Sequence, residues 1–193
     1  MSDALDGWLA AVVSTHGLTA IRNPREARAM LADDALRAVP LVERFDGPIV
    51  DVGSGGGSPG IPLAVALPDR EVTLLEAERR KCDFLERWAP ANARVVWGRA
   101  EEQETDWAAA ALAKALAPPQ VAAEWCLPLV RPGGIVVLWV GESADLDRVA
   151  RVAERLAAEP AASEPGLCVL RKLGPTPAGF PRRAGMARKR PLA

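Results

Sequence analysis

The chain is short of most groups that do chemistry in enzymes. Its 193 residues include a single histidine, His16, and no tyrosine, and aromatic residues make up only 5%. One histidine excludes a histidine-based metal centre and a serine–histidine–acid triad. The three cysteines, Cys82, Cys126 and Cys168, are widely spaced and lack any CxxC or nearby histidine pattern. They read as buried free thiols in a reducing compartment, which excludes a disulfide framework and a zinc site. No apolar run approaches the ~20 residues of a membrane span. Met1–Ala10 has neither the basic start nor the apolar core of a signal peptide. These absences lead us to expect a cytoplasmic protein with no membrane segment and no metal.

Acid is missing from one region. From Pro165 onward there is no Asp or Glu, but there are seven bases: Arg171, Lys172, Arg182, Arg183, Arg188, Lys189 and Arg190. A net charge of −1 therefore hides an acidic body and a basic end. That asymmetry suggests a polyanionic partner such as nucleic acid, with Arg182, Arg183, Arg188, Lys189 and Arg190 as the contacts. A solvated tail that serves only solubility is the alternative.

What is present begins at residues 49–60, IVDVGSGGGSPG. An apolar pair and Asp51 run into Gly53, Gly55, Gly56 and Gly57, and a helix-like IPLAVAL follows. A strand breaking into glycines at the mouth of a helix is how α/β folds bring backbone against a nucleotide-like ligand. The spacing Gly55-x-Gly57-x-x-Gly60 also fits a dinucleotide fingerprint, which alone is weak. Pro59 and Pro62 remove N–H groups that a pyrophosphate would use, and Asp51 suits a cationic amine. Both points favour S-adenosylmethionine over NAD.

Around this motif, β and α patterns alternate. We expect helices over 3–13 and from Asn23 to about Arg44, together an N-terminal cap spanning 1–46. The core, 47–173, follows with strands at 71–75, 94–97, 135–140 and 167–172. Helices are expected at 78–88, 118–129 and 145–158, with Arg131–Gly134 as a turn. The run WAAAALAKALA (107–117) favours a helix by propensity, but the alternation asks for a strand near 110–114. A basic segment, 174–193, ends the chain. The fold class is α/β, a mostly parallel doubly wound sheet in a single domain.

Glu76 ends the second strand, where an acid can accept hydrogen bonds from both hydroxyls of a ribose; capping the next helix is its other role. Ala100 and Glu101 close the third strand, where an adenine edge would lie. Lys114 sits near the end of the presumed fourth strand, beside the crevice where such sheets bind ligands; snorkelling from a helix is an equal reading. Of the six tryptophans, Trp107 and Trp139 fall near strand ends and could stack on a base.

Taken together, DVGSGGGSPGIPLAVALPD, VTLLEAERRKCDFL, GRAEE, KALAP, LPLVRPGG and FPRRAGMARKRPL occur in an order that resembles the bacterial small-subunit ribosomal RNA guanine-N7 methyltransferases. That family is also called the glucose-inhibited division protein B type. The upstream LTAIRNPREA is similar to its N-terminal signature. The resemblance implies a class I methyltransferase fold that uses S-adenosylmethionine to methylate 16S ribosomal RNA, naked or in the small subunit. It implies cofactor contacts from Asp51, Gly53, Ser54, Gly55, Glu76, Ala100 and Glu101. It also implies contacts at the reaction crevice from Lys114, with a substrate-orienting role, and from the end of the fifth strand. Gly57, in the same glycine cluster, is a further candidate for cofactor contact. The family usually has Arg at position 114, Lys-Gly at Val140-Gly141, Asn at Gly17 and His at Leu31.

Overall fold

The computed structural model describes residues 2–161 and 164–193. The cap opens with α1 (Ser2–Ser14), followed by α2 (Pro24–Ala27), a π-helical turn (Arg28–Asp33), α3 (Asp34–Leu36) and α4 (Val39–Val42). Next come β1 (Ile49–Val52), α5 (Gly60–Ala66), β2 (Val72–Glu76), α6 (Arg79–Trp88) and β3 (Ala93–Trp97). A short 3-10 turn (Ala100–Glu102), β4 (Ala108–Ala113), α7 (Pro119–Cys126) and a second 3-10 turn (Leu127–Leu129) follow. The chain closes with β5 (Val130–Trp139), α8 (Leu146–Arg155), β6 (Ala158–Ala161), β7 (Leu167–Lys172) and α9 (Met186–Lys189).

Seven strands form one sheet in the order β3-β2-β1-β4-β5-β7-β6. Strands β1 to β5 pair in parallel, and β7 runs antiparallel between β5 and β6. The order reverses beside β1, so the C-terminal ends of β1 and β4 splay apart there and leave a crevice. Alternate side chains feed two cores. Val50, Val52, Ala111 and Ala113 join α7 and α8 on one face, whereas Ile49, Ala110 and Leu112 join the cap, α5 and α6 on the other.

The alternation prevails over propensity in β4, whose six residues are all buried. Its alanines favour helix only by tenths of a kcal/mol each, less than the burial gained between β1 and β5. Lys114 thus follows a strand and does not ride on a helix.

Four local expectations are corrected. The helix from Asn23 does begin under an Asn23 side-chain cap, but it breaks after Leu36. Pro40 explains the break, because its ring would collide with the carbonyl of residue 36 in a continuous helix. The Arg131–Gly134 turn is instead part of β5, where a register shift opposite Ala108 and Ala110 absorbs it. A Cβ on Gly134 would lie 2.5 Å from the Ala109 carbonyl oxygen, so only glycine lets the strands meet. Helix α8 stops at Arg155 because Ala157 turns left-handed (φ 54°). Strand β6 was not anticipated: Pro160 reads as a breaker, yet it is tolerated on an edge strand that pairs only with β7.

Candidate functional site

The crevice above β1 and β4 has a volume of about 550 Å³. Gly53, Ser54, Gly55 and Gly56 form its floor, and Glu76, Ala77 and the Gly98–Glu101 turn one wall. Lys114 to Leu116 and Trp125 form the other, while Trp8, Val12, Leu18, Thr19 and Leu31 of the cap close one end.

The glycine loop is held from three sides. Gly53 and Ser54 donate to the Leu75 carbonyl at 2.8 and 3.1 Å, continuing the sheet past the end of β1. The indole of Trp8 donates to the Gly56 carbonyl at 2.8 Å, so the cap grips the loop directly. Gly53 has a φ of +71°, and a Cβ there would stand 2.2 Å from Leu116 Cδ1. The loop after β4 can therefore close over this one only if position 53 is glycine.

Glu76, 7% exposed, is fixed by two backbone donors: Gly55 N–H at 2.9 Å to Oε2 and Glu78 N–H at 2.8 Å to Oε1. The carboxylate organises the turn that leads into α6 and lines the crevice. Each carboxylate oxygen keeps a second lone pair for hydroxyls. Ala100 opens a 3-10 turn, whose first N–H groups have no partner inside the turn. Glu101 lines the crevice, and its Oε1 accepts the Gly185 N–H at 3.0 Å.

Asp51 and Gly57 are placed differently from the rest. Gly57 lies behind the loop, donating to the Ser54 carbonyl at 2.7 Å, and is not part of the crevice lining. Asp51 is completely buried beneath the loop, where Oδ2 accepts the Gly60 N–H at 3.0 Å and ties down the start of α5. Burial pushes its carboxyl up to about 7. A Cβ on Gly60 would meet Leu74 Cδ2 at 2.3 Å and Asp51 Oδ2 at 2.6 Å. We expect Gly60→Ala to cost about 2 kcal/mol through overpacking and to lower Tm by roughly 4–8 °C. An unchanged melting curve would contradict this packing.

Lys114 lies 2.6 Å from Asp34 Oδ2 on the cap, donates to the Met30 carbonyl and sits 5.8 Å from the Trp139 ring centre. Burial would raise the Asp34 carboxyl, but hydrogen bonds and charge from Lys114 and Arg37 outweigh it and hold the carboxyl low. Lys114 is thus anchored at the crevice by an acid 80 positions earlier in the chain.

The basic segment divides. Arg182 turns inward and makes a bidentate pair with Glu124, at 2.6 and 2.7 Å. Arg183, Arg188, Lys189 and Arg190 are exposed, and only Arg188 reaches the crevice. Trp8, Leu116 and Trp125 carried no sequence signal as site residues, because each comes from a segment that reads as core; Arg188, expected among the contacts to nucleic acid, lines the crevice.

The lining suits S-adenosylmethionine: a glycine cradle that a Cβ would fill and an acid for a diol. Its wall also holds Trp125 Nε1, a buried polar side-chain atom without a hydrogen-bond partner. Among the described residues no cluster of His, Cys, Asp and Glu could hold a metal ion. All three cysteine thiols are free and buried.

Comparison with known proteins agrees with this chemistry. Residues 6–161 match the family model for rRNA small subunit methyltransferase G. The chain is 35% identical over 201 residues to the ribosomal RNA small subunit methyltransferase G of Synechococcus elongatus, covering 91% of this chain and 82% of that protein. It is 39% identical over 175 residues to the enzyme of the same name from Rubrobacter xylanophilus, covering 77% and 66%. The fold is similar to that of a T. thermophilus 16S rRNA N2 methyltransferase in complex with AdoMet and guanosine. That likeness has a TM-score of 0.53 at 16% identity, over 73% of this chain and 40% of the other. With the family model spanning most of its length, the chain belongs to the rRNA small subunit methyltransferase G family.

Proposed function

We propose that this protein transfers a methyl group from S-adenosylmethionine to N7 of a guanine in 16S ribosomal RNA, taken as naked RNA or within the small subunit. The observation that carries the reading is the Glu76 carboxylate, held by Gly55 and Glu78 and facing the crevice beside the glycine loop. Its place of work is the cytoplasm, where an enzyme of the rRNA small subunit methyltransferase G family would meet its substrate.

Bound at the loop, the cofactor supplies an electrophilic methyl on a sulfonium. Guanine N7 carries a free lone pair, so the protein has no proton to remove, and the lack of a histidine in the lining is no handicap. What the chain contributes is position. Glu76 accepts the ribose hydroxyls, Gly53 and Gly55 let backbone approach closely, and the Ala100 N–H and Glu101 address the adenine edge. Holding nucleophile and methyl in line is worth several kcal/mol. The guanine enters unpaired or flipped from a stack and would meet the crevice at Lys114. The exposed Arg183, Lys189 and Arg190 offer charge for phosphates.

Titration calorimetry with S-adenosylhomocysteine and NAD side by side tests the cofactor: the first should bind and the second should not. Tight NAD binding would remove the reading. For the substrate end, we expect Lys114→Ala to slow methyl transfer roughly tenfold or more by loosening alignment, with homocysteine-product binding little changed. Lys114→Arg, which keeps the charge and adds a planar fork of donors, should be tolerated or faster. Equal turnover by Lys114→Ala and the unaltered protein would exclude an orienting role.

A further inference from the structure

The C-terminal segment is pinned to the fold at three points, two of them between residues that line the crevice. Arg182 pairs with Glu124, whose side chain is only 3% exposed, and also donates to the Arg190 carbonyl at 2.8 Å, closing the segment on itself. Gly185 N–H donates to Glu101 at 3.0 Å. Arg188 stacks over Trp125, with Cζ 5.2 Å from the ring centre, and donates to the Leu116 carbonyl at 3.3 Å. Between these points Ala187 is buried in the core on the α7 side of the sheet.

Two consequences follow from this geometry. Gly185 and Arg188 line the same crevice as the glycine loop and Glu76. Leu116, whose carbonyl Arg188 holds, is the residue packed against Gly53. The segment therefore fixes the loop after β4 that closes over the glycines. The second observation is chemical: Trp125 Nε1 is buried at the crevice wall without an acceptor. A buried donor left unpaired is costly, and a ligand acceptor in the crevice would relieve it.

We propose that residues 180–190 form a clasp that completes the cofactor site at its adenine end, with Arg188 and Trp125 as cofactor-binding residues. The proposal rests on the reading of the crevice as the S-adenosylmethionine site. It gives Arg188 a different task from its neighbours: Lys189 and Arg190 point their charge outward, whereas Arg188 spends its own on Trp125 and Leu116. A tail that served only RNA phosphates would make the three interchangeable.

Calorimetry with S-adenosylhomocysteine on the full-length protein separates these cases. Arg188→Ala should weaken binding about tenfold, because the loop after β4 and the Trp125 wall lose the anchor that holds them in place before the ligand arrives. Arg171→Ala, at an exposed base outside both the crevice and this segment, should bind as the unaltered protein does. Arg188 is exposed, so its replacement should not impair folding, and a far-ultraviolet spectrum checks this. As a second readout, saturating S-adenosylhomocysteine should slow tryptic cleavage after Arg183 and Arg188 in the unaltered protein. Unchanged affinity in Arg188→Ala would overturn the clasp, and so would cleavage that the ligand leaves unaltered. If the unaltered protein failed to bind S-adenosylhomocysteine at all, the cofactor reading itself would fall, which is a distinguishable result.

Discussion

Replacing Glu76 by alanine should raise the dissociation constant for S-adenosylhomocysteine about a hundredfold. Two charge-assisted hydrogen bonds to ribose hydroxyls, at ~1.5 kcal/mol each, account for that size. The glycine loop adds to it, because the same carboxylate holds the Gly55 N–H at 2.9 Å. Glu76→Gln tells the two contributions apart. It keeps an acceptor for Gly55 but loses the charge, so its affinity should fall between that of alanine and that of glutamate. Calorimetry at constant pH measures all three, and an alanine variant with normal affinity would remove the ribose assignment.

The second large effect concerns stability and pH. Asp51 is fully buried, with one backbone donor on Oδ2 and no partner on Oδ1, and its carboxyl sits at about 7 in place of 3.8. A carboxyl whose folded value is raised binds its proton more tightly when folded. It therefore costs nothing below about pH 4, and the penalty grows as pH rises toward 7. At ~1.4 kcal/mol per unit the shift amounts to as much as roughly 4 kcal/mol. Asp51→Asn keeps the volume and an acceptor for Gly60 but cannot ionise. Urea unfolding should thus show the variant gaining on the unaltered protein between about pH 4 and 7 and holding that gain above, with little difference below pH 4. Parallel profiles across that range would show that Asp51 is not held in its neutral form.

The glycine loop and Glu76 were legible in the sequence because their chemistry is local: a strand, a turn that needs positive φ, and an acid at the next strand end. Strand β4 could be inferred only from the alternation of its neighbours, since its alanines carry the opposite propensity. Asp51 shows where local reading stops. Whether its carboxylate turns into the crevice or under α5 depends on the Gly60 N–H and on burial by the sheet. Lys114 was placed correctly at the crevice, but its partner Asp34 lies across the fold on a helix turn that Pro40 sets apart. The basic tail was legible as charge and not as structure. Arg182 pairs with a buried acid on α7, and Arg188 joins the crevice, because tertiary contacts distribute bases that look alike in sequence.

The central claim is the reaction, and its product can be read on the RNA. Small ribosomal subunits lacking the modification, incubated with the protein and labelled S-adenosylmethionine, should gain a single labelled guanine in the 16S RNA. Borohydride–aniline treatment cleaves RNA at N7-methylguanine, so the account predicts one new cleavage site that appears only with active protein and cofactor. Incorporation of label without cleavage would place the methyl on another atom. No incorporation by protein that binds S-adenosylhomocysteine would contradict catalysis and leave a cofactor-binding relative without methyltransferase activity.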